Sequence, residues 1–206
     1  MKKNFIFPKG VRFATIEEIP NQDDKESTNY KYKNAIIEVG YTMISTEGDN
    51  YKNYAEINVS SPDIWIVFER LSKLLLPKVS APILGLLDEE KDELYYGPYL
   101  NRDKILNILS EFKNELANDG FIQFGIIHQQ NMKTEEIFVH PTKHFSVWTN
   151  HTDLFHQQME IFEIPEYDKL NFIDEFPRTT LSKYEGMRIN NREVLEQLKM
   201  KFHLLE

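Results

Sequence analysis

Alternating apolar and polar positions open the ordered part of the chain. Ala35-Ile36-Ile37-Glu38-Val39-Gly40-Tyr41-Thr42-Met43 and Tyr54-Ala55-Glu56-Ile57-Asn58-Val59 have the two-residue period of a strand pair. The period then changes. Ile64, Val67, Phe68, Leu71, Leu74 and Leu75 recur at helical spacing behind Ser61, Pro62 and Asp63. Those three residues suit a helix start. The serine accepts from free amides, the proline needs no donor there, and the aspartate faces the positive helix end.

The same order returns twice. Residues 82–87 and 93–99 flank an acidic turn and predict a second hairpin. Asn101 then caps a helix with the stripe Ile105, Ile108, Leu109, Phe112 and Leu116, ending at Gly120. Residues 121–128, 136–140 and 143–148 predict three more strands. Asn150 is the expected cap of a helix carrying Leu154, Phe155, Met159 and Phe162. Three strand–strand–helix (ββα) rounds therefore span residues 35–165, a loose pseudo-repeat within one α+β domain covering 1–206. Around them, residues 21–29 contain no apolar side chain and read as an exposed loop. Residues 171–176 read as a strand. Asn190 or Asn191 caps a last helix with Val194, Leu195, Leu198 and Phe202 facing inward. The predicted architecture is an antiparallel sheet with helices packed mainly on one face.

Composition narrows the function classes. The chain has 206 residues, is 41% hydrophobic and contains no cysteine, which fits a packed core and removes disulfides, thiolate metal sites and a cysteine nucleophile. No apolar run reaches the ~18 residues of a membrane helix, and the N-terminal apolar stretch stops at Pro8. The expectation is a cytoplasmic protein. With 24 basic against 33 acidic residues the net charge is −9, which disfavours nucleic acid and anionic membranes as partners.

Chemistry-bearing motifs are sparse. Five of the six histidines fall between His128 and His156, but His151 and His156 are five apart and Pro141 separates His140 from His144. Neither spacing makes a metal site, and no HExxH occurs. No G-x-S-x-G elbow and no phosphate-cradling glycine loop is present. Asp174 and Glu175, adjacent on the expected strand, point to opposite faces and are poorly placed to share a proton. The expectation is therefore no catalysis, no metal and no cofactor.

Charge is distributed unevenly. Residues 149–176 hold seven acids against Lys169, and residues 83–99 hold five against Lys91. These two stretches carry −10 between them, and the remainder sums to +1. Aromatics are interleaved with the acids. One account makes the acids a solvated face and the aromatics core. The other joins the two stretches into one docking surface, with Tyr95, Tyr96, Trp148, Phe155 and Tyr167 as anchors and Asp88, Glu89, Glu160, Glu163 and Asp174 supplying charge.

The run Phe145-Ser146-Val147-Trp148-Thr149-Asn150, an acidic aromatic helix, Ile164-Pro165-Glu166-Tyr167 and Phe172-Ile173-Asp174-Glu175-Phe176-Pro177 resemble the immunity proteins that accompany bacterial polymorphic toxins. The resemblance covers about the C-terminal half and lies in general character, without a diagnostic motif. It implies a non-enzymatic protein that binds and occludes a cognate, basic toxin. Two rival expectations stand beside it. One is a hydrolase using His140, His144 or His156 with Asp153, Glu160 or Asp174. The other is a small-molecule or peptide sensor with an aromatic cleft between sheet and helices.

Overall fold

The computed structural model describes residues 5–48, 50–87 and 92–204. Seven strands form one antiparallel sheet: β2 (Gly40–Ser45), β3 (Asn53–Asn58), β4 (Val79–Leu87), β5 (Asp92–Tyr96), β7 (Ile122–Gln130), β8 (Lys133–Val139) and β9 (Phe145–Thr149). Their order is β2-β3-β9-β8-β7-β4-β5, and the short β6 (Leu100–Asn101) adds to β4. β1 (Val11–Phe13) pairs with β10 (Arg178–Thr180) in a separate ribbon. Register places Ala55, Val147, Ile137 and Ile126 in one row and Ile57, Phe145, Val139, Phe124 and Leu84 in the next. Both rows point to the same face. Against it pack α2 (Ile64–Leu75), α3 (Arg102–Ser110), α4 (Lys113–Asn118), α5 (Thr152–Phe162) and α6 (Asn191–Lys201), whose buried residues share one core with the sheet. This is the α+β arrangement the periodicity predicts.

Pro82 sits inside β4 without breaking it. Residue 82 faces β5, where the ladder gives out: its carbonyl accepts from Gly97 N at 2.8 Å, so the missing N–H costs little. Asn101 caps α3 as expected, accepting from the Asp103 and Lys104 amides. Asn190 caps α6.

Several expectations are corrected. Residues 22–29 lie in a helix, α1 (Gln22–Asn34), with Asn21 at its N-cap, in place of a loop. The helix is polar almost all round, so no apolar period betrays it. It is pinned by Thr28, which is buried, and by Tyr32, which stacks on Phe13 at 5.0 Å. Residues 173–175 form a 3-10 turn in place of a strand. The helix expected from Asn101 to Gly120 divides at residues 111–112 into α3 and α4. Gly120 is needed there for close approach, since a Cβ would meet Val11 Cγ2 at 2.5 Å. His151, not Asn150, occupies the N-cap of α5. The Asn150 side chain instead donates to Glu135 and to the Thr134 carbonyl.

Candidate functional site

β2 and β5 form opposite edges of the sheet. Six inter-strand steps separate them, about 29 Å at ordinary spacing. Tyr95 and Tyr96 lie on β5, while α5 and the residues after it lie beside β2. Glu93, Tyr95 and Tyr96 therefore lie apart from α5 and do not join its acidic residues in one surface. Asp88 and Glu89 lie outside the described residues. Tyr95 is half-buried, packing on the core and under the Lys199 ammonium, 3.8 Å from its ring centroid. Tyr96 is exposed. Phe155, expected as an anchor, is fully buried and belongs to the core. Its ring meets Tyr41 edge-on at 5.3 Å, so no partner reaches it.

What does converge lies at the β2 edge. α5 ends at Glu163, held in the left-handed region at φ 58°, and the chain turns back along β2. Tyr41 N donates to the Pro165 carbonyl and Tyr167 N donates to the Tyr41 carbonyl, so residues 165–167 cover the strand edge. The Tyr167 ring lies against Gly40, where a Cβ would stand 2.4 Å from it. Its hydroxyl donates to Glu38 Oε2 at 2.6 Å. Between this segment, β2 and α5 lies a cavity of about 610 Å³.

Its walls are partly apolar, with Val39, Met159 and Ile164. Four carboxylates ring it, from Glu38, Glu160, Glu163 and Glu166, and among the described residues neither lysine nor arginine lines it. Tyr41 OH lies 2.9 Å from His156 Nδ1 and 3.2 Å from Glu166 Oε2. With its single proton given to Glu166, Tyr41 accepts from His156 Nδ1–H. Burial first, then the Glu166 and Glu160 charges, push the Tyr41 hydroxyl up to about 12. The hydroxyl stays protonated and adds no charge of its own. Ile161 (62%) and Leu154 (37%) are exposed on the flank of α5 turned away from the cavity-lining His156, Met159 and Glu160. Leu154 was expected in the inward stripe. The buried positions 155, 158 and 159 turn it outward.

Sequence reasoning singled out Glu160, Glu163 and Tyr167 from this site and missed Glu38 and Tyr41. Glu38 and Tyr41 carry no local signal, because only the crossing of residues 165–167 brings them to α5.

A second polar cluster lies on the other sheet face. His140 Nε2 is 2.8 Å from Ser146 Oγ, which is 3.0 Å from Tyr54 OH, which donates to Glu56 Oε1. Tyr54 has one proton and gives it to Glu56. Ser146 therefore donates to Tyr54 and accepts from His140 Nε2–H. In this arrangement His140 is a donor to Ser146 and does not act as its base. Asp174 is exposed, with Oδ2 3.8 Å from His144 Nε2. Among the described residues no three His, Asp or Glu side chains are grouped to hold a metal ion. No described helix is long and apolar enough to cross a membrane.

Compared with protein-family models, curated proteins and solved structures, the chain matches none.

Proposed function

We propose that this chain is a non-enzymatic, cytoplasmic, immunity- or antitoxin-like protein that binds a basic bacterial toxin through the α5 edge. One observation carries the reading. Among the described residues, four glutamates ring the cavity and no lysine or arginine lines it. Such a surface attracts a cationic partner over long range, receives a lysine or arginine side chain in the cavity, and offers Val39, Met159 and Ile164 as apolar contacts to its stem. The docking surface is narrower than the sequence implies: Glu38, Glu160, Glu163 and Glu166, without β5.

The test is growth rescue. The partner is captured from the native host, expressed alone in a second bacterium, and scored for toxicity with and without this chain. The expected result is a toxic partner, rescue by the wild-type chain, and loss of rescue with Glu160→Lys and Glu163→Lys together. A harmless partner, or rescue undiminished by the charge reversal, rejects the reading.

The cavity also favours a second reading, a sensor of small organic cations, because its volume suits a ligand of that size. Putrescine and agmatine titrated calorimetrically decide between them. Binding of either with no toxic partner supports the sensor.

A further inference from the structure

The sheet face turned away from the helices is only partly covered. One row across it reads Ile44, Tyr54, Trp148, Glu136, Ile127 and Ala81, each directly opposite the next. Ile44 at its β2 end is 60% exposed, and Tyr54, Trp148, Glu136 and Ile127 are half-buried. The Tyr54 and Trp148 rings meet at 5.1 Å between centroids, tilted by 47°.

Glu136 is the anomaly in this row. Its neighbours on either side are an indole and an isoleucine. Among the described residues no hydrogen bond or ion pair reaches its carboxylate, and burial alone raises its carboxyl pKa to about 7. A partly dehydrated carboxylate without a partner is costly, and a cation supplied from outside removes that cost. The adjoining row adds Glu56, itself within the field of Asp174 and Glu175. With Arg178 beside Asp174, these four carboxyl groups still leave the face acidic, which favours a cation over phosphate.

We infer that the open sheet face at Trp148 and Glu136 is a second docking surface, and that its occupant is an arginine side chain presented by a protein partner. The guanidinium is planar. It stacks on the half-exposed indole while pairing edge-on with the Glu136 carboxylate, and an ammonium can do only part of this. Exposed Ile44 gives the rest of such a segment an apolar contact. The surface lies on the sheet face opposite the α5 cavity and does not depend on that site's ligand.

The experiment uses the full chain labelled with 15N. Its two tryptophans, Trp65 and Trp148, give two indole N–H resonances, and Trp65 serves as the internal control because it packs against the helix-side core. The probes are the blocked tripeptide Gly-Arg-Gly and its citrulline and lysine counterparts. The arginine peptide should shift the Trp148 resonance saturably and leave Trp65 unmoved. The citrulline peptide, of nearly the same shape but neutral, should shift neither. Glu136→Gln should weaken arginine-peptide binding about tenfold. No saturable shift with arginine, an equal shift with citrulline, or undiminished binding by Glu136→Gln overturns the docking surface. Equal affinity for the lysine peptide overturns the assignment to a guanidinium. The citrulline comparison is made on the wild-type chain, so it decides whether or not the variant folds.

Discussion

The imidazole rings of His140 and His144 lie parallel, 4.1 Å apart and 7° from coplanar, across the turn joining β8 to β9. Each has its own hydroxyl partner, Ser146 for His140 and Thr142 for His144. Burial, more than any neighbouring charge, lowers both to about 3. Two stacked rings cannot both carry a proton in such a site, so the folded protein holds them neutral.

This pair makes the fold acid-sensitive. The ordinary histidine value is 6.5, so between 6.5 and about 3 the unfolded chain binds protons that the folded one refuses. Their contribution is complete above pH 6.5 and is lost as pH falls through that window. His144→Phe should lower the slope of unfolding free energy against pH by about one proton, near 1.4 kcal/mol per pH unit. Urea unfolding from pH 5 to 7.5 measures it. An unchanged slope means His144 is charged in the fold.

Glu136 acts with the opposite sign. Its folded carboxyl titrates near 7 against an ordinary value of 4.5, so stability is lost as pH rises from 4.5 to 7. Glu136→Gln should leave stability unchanged at pH 4 and raise it by on the order of 2 kcal/mol at pH 8, after allowance for partial exposure. Thermal unfolding at the two pH values compares them.

Lys143 is a third titrating group, fully buried in the same turn with φ 67°. Its ammonium donates to the Ile122 carbonyl, and burial lowers it to about 7. Between 7 and 10.5 the unfolded chain carries the extra proton, so stability rises with pH across that range. Lys143→Met should flatten a rise on the order of 4 kcal/mol, read as unfolding free energy at pH 7 and 10. If the rise survives the substitution, another group is its source.

Arg188 holds the buried Glu115 carboxylate with two bonds, 2.9 Å from Nε and 2.7 Å from Nη2. Burial opposes the charge on Glu115, but the Arg188 bonds win and its pKa ends lowered. Arg188→Ala should reduce the thermal midpoint by at least about 5 °C, because it strands a buried charge. The pair replacement Arg188→Met with Glu115→Leu should recover most of it. A small loss on Arg188→Ala would show that water reaches Glu115.

Glu160 and Phe155 separate docking from folding. Glu160→Ala should alter stability by less than about 0.5 kcal/mol and speed partner dissociation about tenfold. Phe155→Ala should cost about 3–5 kcal/mol, through a cavity in the core. Chemical denaturation and surface-bound dissociation kinetics read the two effects separately.

The strands and amphipathic helices were legible because their signals are local. Val67, Phe68 and Leu71 repeat at helical spacing and are buried, as are Val194, Leu195 and Leu198. α1 escaped detection because Gln22, Lys25 and Glu26 favour a helix by propensity alone, with no apolar stripe. The 3-10 turn at Ile173–Glu175 was misread because Phe172, Ile173 and Phe176 are all buried and give the density of apolar residues that a strand would.

The amphipathic helices, most strands, the caps at Asn101 and Asn190 and the net acidity of residues 149–176 were determined by the sequence itself, since each depends on side chains within one or two turns of backbone. The tertiary structure decided which residues meet. Strand order put β5, with Glu93, Tyr95 and Tyr96, and β2 at opposite edges. The crossing of residues 165–167 brought Glu38 and Tyr41 to Glu160, and the pairing of β7, β8 and β9 set Glu136 between Ile127 and Trp148. These encounters join segments distant along the chain. They are set by burying one face of the whole sheet, a condition that no local pattern encodes.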